Sequence, residues 1–255
     1  MIHLFSRRRT RSRLPSSPGG LRGRLVRFSR RLLVLVLLVA LMPLAAIVAF
    51  RWLPVPCSSF MVIRHIERLL PGSEVPPIHY RWIELEEISP LVALAVIAAE
   101  DQRFPDHWGF DFPAIKKAFD YNATHTRKIR GASTISQQTA KNLFLWGGRS
   151  LLRKGLEAGL TLGMETFWPK ERILEVYLYI AEFGDGIYGV QAASERLFDT
   201  SARHLTRRQA ALLAAVLPNP RRFHADRPSS FVLSRAKWIE TNMGRLGGPR
   251  YLEQL

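Results

Sequence analysis

The chain has 255 residues, enough for one large domain or two small ones, and its 37 Lys plus Arg against 21 Asp plus Glu leave a net charge of +16. Ten arginines and no acid fall in residues 1–31, so the rest of the chain carries only about +6 (16 − 10). A lone cysteine, Cys57, excludes an internal disulfide and any multi-cysteine metal site, and Pro56 before it does not suit a lipoprotein cleavage site.

After the basic tail, Leu32 to Phe50 runs 19 residues without a charge, bracketed by Arg30-Arg31 and Arg51. That matches the ~20 residues a helix needs to cross a bilayer core. No Ala-x-Ala cleavage site follows, so the stretch reads as an uncleaved anchor. The arginines then mark the cytoplasmic side, leaving roughly 200 residues on the far face. The tail is an orientation signal, and no nucleic-acid partner is expected.

The expected organisation is a disordered basic cytoplasmic tail over 1–31, a transmembrane helix over 32–50, a juxtamembrane segment over 51–88, an α-rich domain over 89–246 and a C-terminal tail over 247–255. The juxtamembrane segment holds one short amphipathic helix around Ser59–Leu70 and a link through Pro71, Pro76 and Pro77. Hydrophobic periodicity predicts helices over 90–101, 112–122, 134–144, 150–167, 170–182, 188–198, 206–217 and 230–246. Strand patterns are scarce, with Ile78–Leu85 the one candidate.

Ser89 and Pro90 open the first helix of the domain, whose run Leu91–Ala99 is apolar on every side and so expected to be buried all round. Its first ionisable residue is Glu100, near the C-terminal end. Burial and the negative end of the helix dipole both disfavour the charged form there, and such a carboxylate suits a general base near neutral pH. The plain alternative is a glutamate emerging into solvent.

A second polar cluster spans Gly131–Asn142. Gly131 with Ser133 and Thr134 marks a helix entrance, whose free N–H groups attract anions. Thr134, Gln137 or Gln138, and Lys141 recur at three- and four-residue steps on one face, an arrangement suited to phosphate. An ordinary capped helix with a solvated face explains the same residues. In a third cluster Arg149, Arg153 and Glu157 are spaced by four, with Lys154 beside them and Leu151, Leu152, Leu156 and Leu160 opposite as apolar packing. It reads as a surface ion-pair ladder or as a diphosphate clamp in which Glu157 holds a divalent cation.

Two further motifs are set aside. Gly184, Gly186 and Gly189 form G-x-G-x-x-G, but Ile173–Phe183 before them reads as helix where a dinucleotide fingerprint needs a strand. These glycines read as a helix–helix turn. Ser234-Arg235-Ala236-Lys237 matches the S-x-x-K of acylating enzymes, lacks its K-T-G partner and reads as coincidence on a surface helix. The chain contains no H-E-x-x-H and no D-x-D.

Taken together, E-D-x-x-F-x-x-H-x-G at Glu100–Gly109, G-x-S-T-I-[ST]-Q-Q with K-N at Gly131–Asn142, R-K-x-x-E at Arg153–Glu157, I-L-E-x-Y-L at Ile173–Leu178 and the string Ala211–Pro220 resemble the peptidoglycan glycosyltransferases. The likeness covers about residues 80 to 225 and, with no transpeptidase region after it, points to the monofunctional form of Gram-negative bacteria. It implies a mainly α, lysozyme-like, two-lobed glycosyltransferase domain behind one N-terminal transmembrane helix, set in the inner membrane and facing the periplasm. The implied reaction polymerises lipid II, an inverting transfer of the polyprenyl-diphosphate-linked glycan onto the GlcNAc 4-hydroxyl. Matched position by position, Glu100 is similar to the catalytic base and Glu157 to the second essential glutamate, which positions Mg²⁺ or Mn²⁺ or the diphosphate. Lys141 and Arg149 match the residues that neutralise the diphosphate; Ser133, Thr134, Gln137, Gln138, Arg153 and Lys154 match the groove lining. Asp101 and His107 are given structural roles. The implied partners are lipid II, the membrane, and other cell-wall synthesis or division proteins. Tyr179 stands where the family usually has Asn, and Ala132 where it commonly has Gly. The segment Phe110–Arg130, mixing aromatics with Lys and Arg, suits either the bilayer interface or an ordinary surface. A lysozyme-like glycan-cleaving enzyme is the alternative; it would have no use for the Lys141–Arg149–Glu157 group.

Overall fold

The computed structural model of the chain describes residues 21–125, 131–148 and 150–255. Between Met42 and Pro43 the chain divides into two units. The first contains the start of helix α1 (Leu21–Phe50), where Leu25, Phe28, Leu33 and Leu38 are all exposed. Disorder was expected through residue 31, but from Leu21 on the chain is helical. Arg and Leu are good helix formers, and a turn added to an existing helix avoids the cost of nucleation. Residues 1–20 of the expected tail lie outside the described residues. The expected span Leu32–Phe50 is part of α1. Among the described residues no helix is long and apolar enough to cross a membrane.

The second unit begins with the last turns of α1. Ile47 is buried there, and Gly163 opposite is bare enough for Leu44 and Ile47 to approach. Trp168 Nε1 donates to Ile47 O at 2.6 Å, Arg172 Nε to Phe50 O at 2.9 Å and Arg172 Nη2 to Leu53 O at 2.5 Å. The first two satisfy carbonyls at the helix end that have no partner within the helix, and the third ties down the turn after it.

Next come α2 (Ser59–Leu69) and the two-residue strand β1 (His79–Tyr80). Helix α3 (Pro90–Glu100) is buried from Val92 to Ala98, as its all-round apolar run predicts. Ser89 precedes it, but its hydroxyl does not cap; it reaches Leu205 O at 3.3 Å. Then follow α4 (Phe112–Thr124), α5 (Ile135–Phe144), α6 (Leu151–Phe167) and α7 (Lys170–Ile180). After the hairpin β2 (Glu182–Gly184) and β3 (Ile187–Tyr188) come α8 (Val190–Phe198), α9 (Arg207–Val216) and α10 (Ser230–Arg245). Thr206 and Ser229 cap α9 and α10 through their side chains.

Helix α3 packs against α9, α10 and a final 3-10 stretch, Gly248–Gln254; α5 packs against α6 and α7. The C-terminal residues are therefore docked: Tyr251 is buried and its hydroxyl donates to Gln102 O at 2.7 Å. The glycine string is a correction. It forms a β-hairpin, not a helix–helix turn, and β3 also pairs in parallel with β1. Strands of two and three residues are too short for a period-two pattern to register. Gly186 turns the hairpin at φ +74°, and Gly189 has φ +80° with the carbonyl of Tyr179 2.7 Å from where a Cβ would stand. Tyr179 itself is buried in α7 and stacks on Trp82 with centroids 3.5 Å apart.

Candidate active site

The motif after α3 is a joint before it is a site. Asp101 Oδ2 accepts from the backbone N–H of Ile135 at 3.0 Å, and Oδ1 lies 2.9 Å from His107 Nε2. Gly109 O accepts from Thr134 Oγ1 at 2.6 Å, while Thr134 and Gln137 complete a reciprocal capping box. The end of α3 is thus bolted to the start of α5. Gly109 cannot be otherwise: φ is +75°, and a Cβ would stand 2.5 Å from Thr161 Cγ2. Below, Glu165 Oε1 accepts from Ser136 Oγ at 2.5 Å and from Lys170 Nζ at 2.8 Å, tying α5, α6 and α7 together.

One expectation fails here. The N-terminus of α5 is not an open anion cradle, because Asp101 takes the Ile135 N–H and Thr134 the Gln137 N–H. The helix has found its anion within the chain. Thr134 and Gln137 are spent on the cap, although Gln137 also borders the cleft.

That cleft has a volume of about 470 Å³, and Ser133, Gln138, Lys141, Arg153, Lys154 and Glu157 are among the residues lining it. Glu157 is almost wholly buried, yet neither oxygen is free. Oε2 accepts from Arg153 Nη1 at 2.7 Å and Oε1 from Lys154 Nζ. Arg153 also fastens the preceding loop through Gly148 O at 3.1 Å, and Lys154 Nζ reaches Ser133 Oγ at 3.5 Å. Burial, above all, lowers the Lys141 pKa; Glu157 and Glu100 push it back up, while Arg153 and Lys154 lower it further. The cleft is therefore a dense cationic patch balanced by one carboxylate.

Glu100 is not a wall of this cleft but stands directly behind one. Gln138, which lines it, donates Nε2 to Glu100 Oε2 at 3.0 Å and accepts at Oε1 from the Tyr177 hydroxyl at 3.1 Å. Burial pushes the Tyr177 phenol well up, so it stays a donor and fixes which end of the amide faces Glu100. The other carboxylate oxygen, Oε1, accepts from Arg235 Nη2 at 3.1 Å. Glu100 is thus no lone acid at the end of a greasy helix; a guanidinium and an amide hold it.

The model of the family described as Transglycosylase matches residues 72–244, more than half of the chain. The biosynthetic peptidoglycan transglycosylase of Escherichia coli (strain ATCC 8739) is 56% identical over 228 residues, 89% of this chain and 94% of that protein. That of Pectobacterium carotovorum subsp. carotovorum (strain PC1) is 55% identical over 232 residues, 91% and 95% of the two chains. The chain belongs to the transglycosylase family.

In this transglycosylase the structure brings together Glu100, Ser133, Gln137, Gln138, Lys141, Arg153, Lys154 and Glu157, with Thr134 as the cap beneath them. Arg149 lies outside the described residues. Both oxygens of Glu157 face cations, and among the described residues no three His, Cys, Asp or Glu side chains gather, so a divalent cation at Glu157 would need diphosphate oxygens as its further ligands. Sequence reasoning missed Arg235, which was assigned to a surface helix. It also gave Tyr177 no role, although the residue stood in a quoted motif. Nothing local flags a contact made across 135 residues of chain. One packing expectation is corrected as well. Leu151, Leu152 and Leu156 are exposed rather than packed.

Proposed function

We infer that this transglycosylase polymerises lipid II into glycan strands. The observation that carries the reading is the pairing of one clamped carboxylate, Glu100, with a separate cationic cleft, joined through the Gln138 amide. Glu100 takes the proton of the acceptor GlcNAc 4-hydroxyl as its oxygen attacks the anomeric carbon of the donor MurNAc. The bond to the diphosphate breaks with its electron pair, and Lys141, Arg153 and Lys154, with Arg149 by family likeness, meet the charge that leaves. Base and leaving group acting on opposite sides of the sugar invert the anomeric centre. Glu157 keeps the cations gathered, and no step is assigned to a metal.

The lipid-bearing substrate also needs a membrane. We propose that Leu32–Phe50 is a single-pass anchor with the basic end cytoplasmic and the catalytic domain in the periplasm. We further propose a lysozyme-like, two-lobed domain whose second lobe meets the bilayer interface. Helix α4 supports this, exposing Phe112, Ile115 and Phe119 beside Lys116 and Lys117, and so does α6 with its exposed leucines. Arg127, Lys128 and Arg130 of the same basic segment lie outside the described residues.

The test is incubation of the full-length protein with lipid II and, separately, with finished glycan. Polymer from the first and no cleavage of the second are expected; cleavage without polymer would turn the reading to a glycan-cleaving enzyme. A reporter fused after residue 51 should be active only outside the cytoplasm.

A further inference from the structure

Arg235 lies on α10, beyond every motif used above, in a string that looked like a chance match. Its place in the structure is hard to explain by stability alone. The side chain is three-quarters buried; Nη2 donates to Glu100 Oε1 at 3.1 Å, while Nε is buried with no hydrogen-bond partner. A buried donor left unsatisfied costs about 1–3 kcal/mol. An apolar side chain of similar volume would cover α3 without that penalty. What the arginine supplies is a charge against one carboxylate oxygen, opposite the amide that Gln138 sets against the other. Each oxygen then has one donor and keeps its second lone pair.

We propose that Arg235 is a positioning residue for the Glu100 base: with Gln138 it clamps the carboxylate in one orientation and sets a positive charge beside it as the hydroxyl arrives. This rests on the reading of Glu100 as general base. Among the charged and titratable groups facing Glu100 are Arg235 from α10, Lys141 from α5 and the Tyr177 phenol from α7. Tyr251, in the C-terminal turns packed on α3, feels Asp101 and Asp106 instead. Arg235 is the one of these that both touches the carboxylate and stands outside the cationic cleft. Removing it should therefore alter the base without weakening the grip on diphosphate.

The experiment is a pH–rate profile of lipid II polymerisation for the full-length wild type, R235Q and R235K, with circular dichroism to check folding. In R235Q, loss of the neighbouring cation should move the acidic limb to higher pH by about one unit. On the acidic flank of the profile the rate then falls by up to about tenfold, the deficit closes on the plateau at higher pH, and KM for lipid II stays put. R235K, which keeps the charge but not the fork, should return the limb toward wild type with kcat only partly restored. A limb that stays in place in R235Q overturns the proposal, as does a uniform loss across pH. Should R235Q lose its helical signal, R235K decides alone: a wild-type limb supports the proposal and a displaced one overturns it. If the wild type makes no polymer, the functional reading falls; if it does and the limb is fixed, only the role of Arg235 falls.

Discussion

The two acids of this site are both mostly buried and both face cations, yet they are built for different work. Glu157 has each oxygen against a cation, Arg153 and Lys154, neighbours one turn earlier on its own helix. Glu100 has one cation from a distant helix and one neutral amide. A carboxylate with a cation on each oxygen is a fastening: its service is to keep neighbouring charges close together. A carboxylate held by one charge and one dipole is oriented and keeps a lone pair on each oxygen open to an incoming hydroxyl. Similar burial thus says little about role, and the identity of the donors says much more.

The largest effect expected from breaking this contrast is at Glu100. Glu100→Gln keeps the shape and should cost roughly 10²–10⁴ in kcat, the usual scale for a general base, with only a small drop in the thermal midpoint because its amide nitrogen now meets one of the two donors. Calorimetry together with the polymerisation assay checks both halves. Next comes Glu157→Ala, where the contrast predicts a stability defect as well. Arg153 is left buried without its partner, which should destabilise the domain by about 3 kcal/mol in urea unfolding, reduced by whatever relief the half-exposed Lys154 finds in water. A Glu157 variant as stable as wild type but as inactive as Glu100→Gln would erase the distinction.

Lys141 sharpens it through pH. Because burial lowers its pKa, the charged form is held below that value and lost as pH rises through it, so activity should fall on the alkaline side earlier than for an ordinary lysine. Lys141→Arg keeps its charge and should extend the alkaline limb by about one pH unit or more. An unchanged limb would remove Lys141 from the diphosphate clamp. The smallest effect is a control: Tyr251→Phe loses the hydrogen bond to Gln102 O and should cost about 1 kcal/mol of stability while leaving kcat alone.

Much of the fold was legible. All eight domain helices fall within a few residues of their expected bounds, because apolar periodicity, caps such as Thr206 and Ser229, and breakers such as Pro218 act within a turn or two of chain. The glycine hairpin was not, since strands this short take their identity from the partners they pair with. Within the site, the neighbours Arg153, Lys154 and Glu157 were readable as a cluster because one helix carries all three. Of the two readings of the α5 entrance the capped helix holds: Thr134 takes the Gln137 N–H, while Asp101 takes that of Ile135, and no local pattern shows that α3 ends where α5 begins.

The sequence by itself therefore determined the helices, the family, and which acids and cations could do chemistry, since those depend on residue type and short-range spacing. Tertiary structure alone decided who stands beside Glu100. Gln138, Tyr177 and Arg235 come from three helices spread over nearly a hundred residues, and they meet only because the buried face of α3 draws α10 over it while Asp101 fixes α5 beneath. Hydrophobic burial brings those helices together without regard to sequence distance, and the electrostatics of the base follow from that packing.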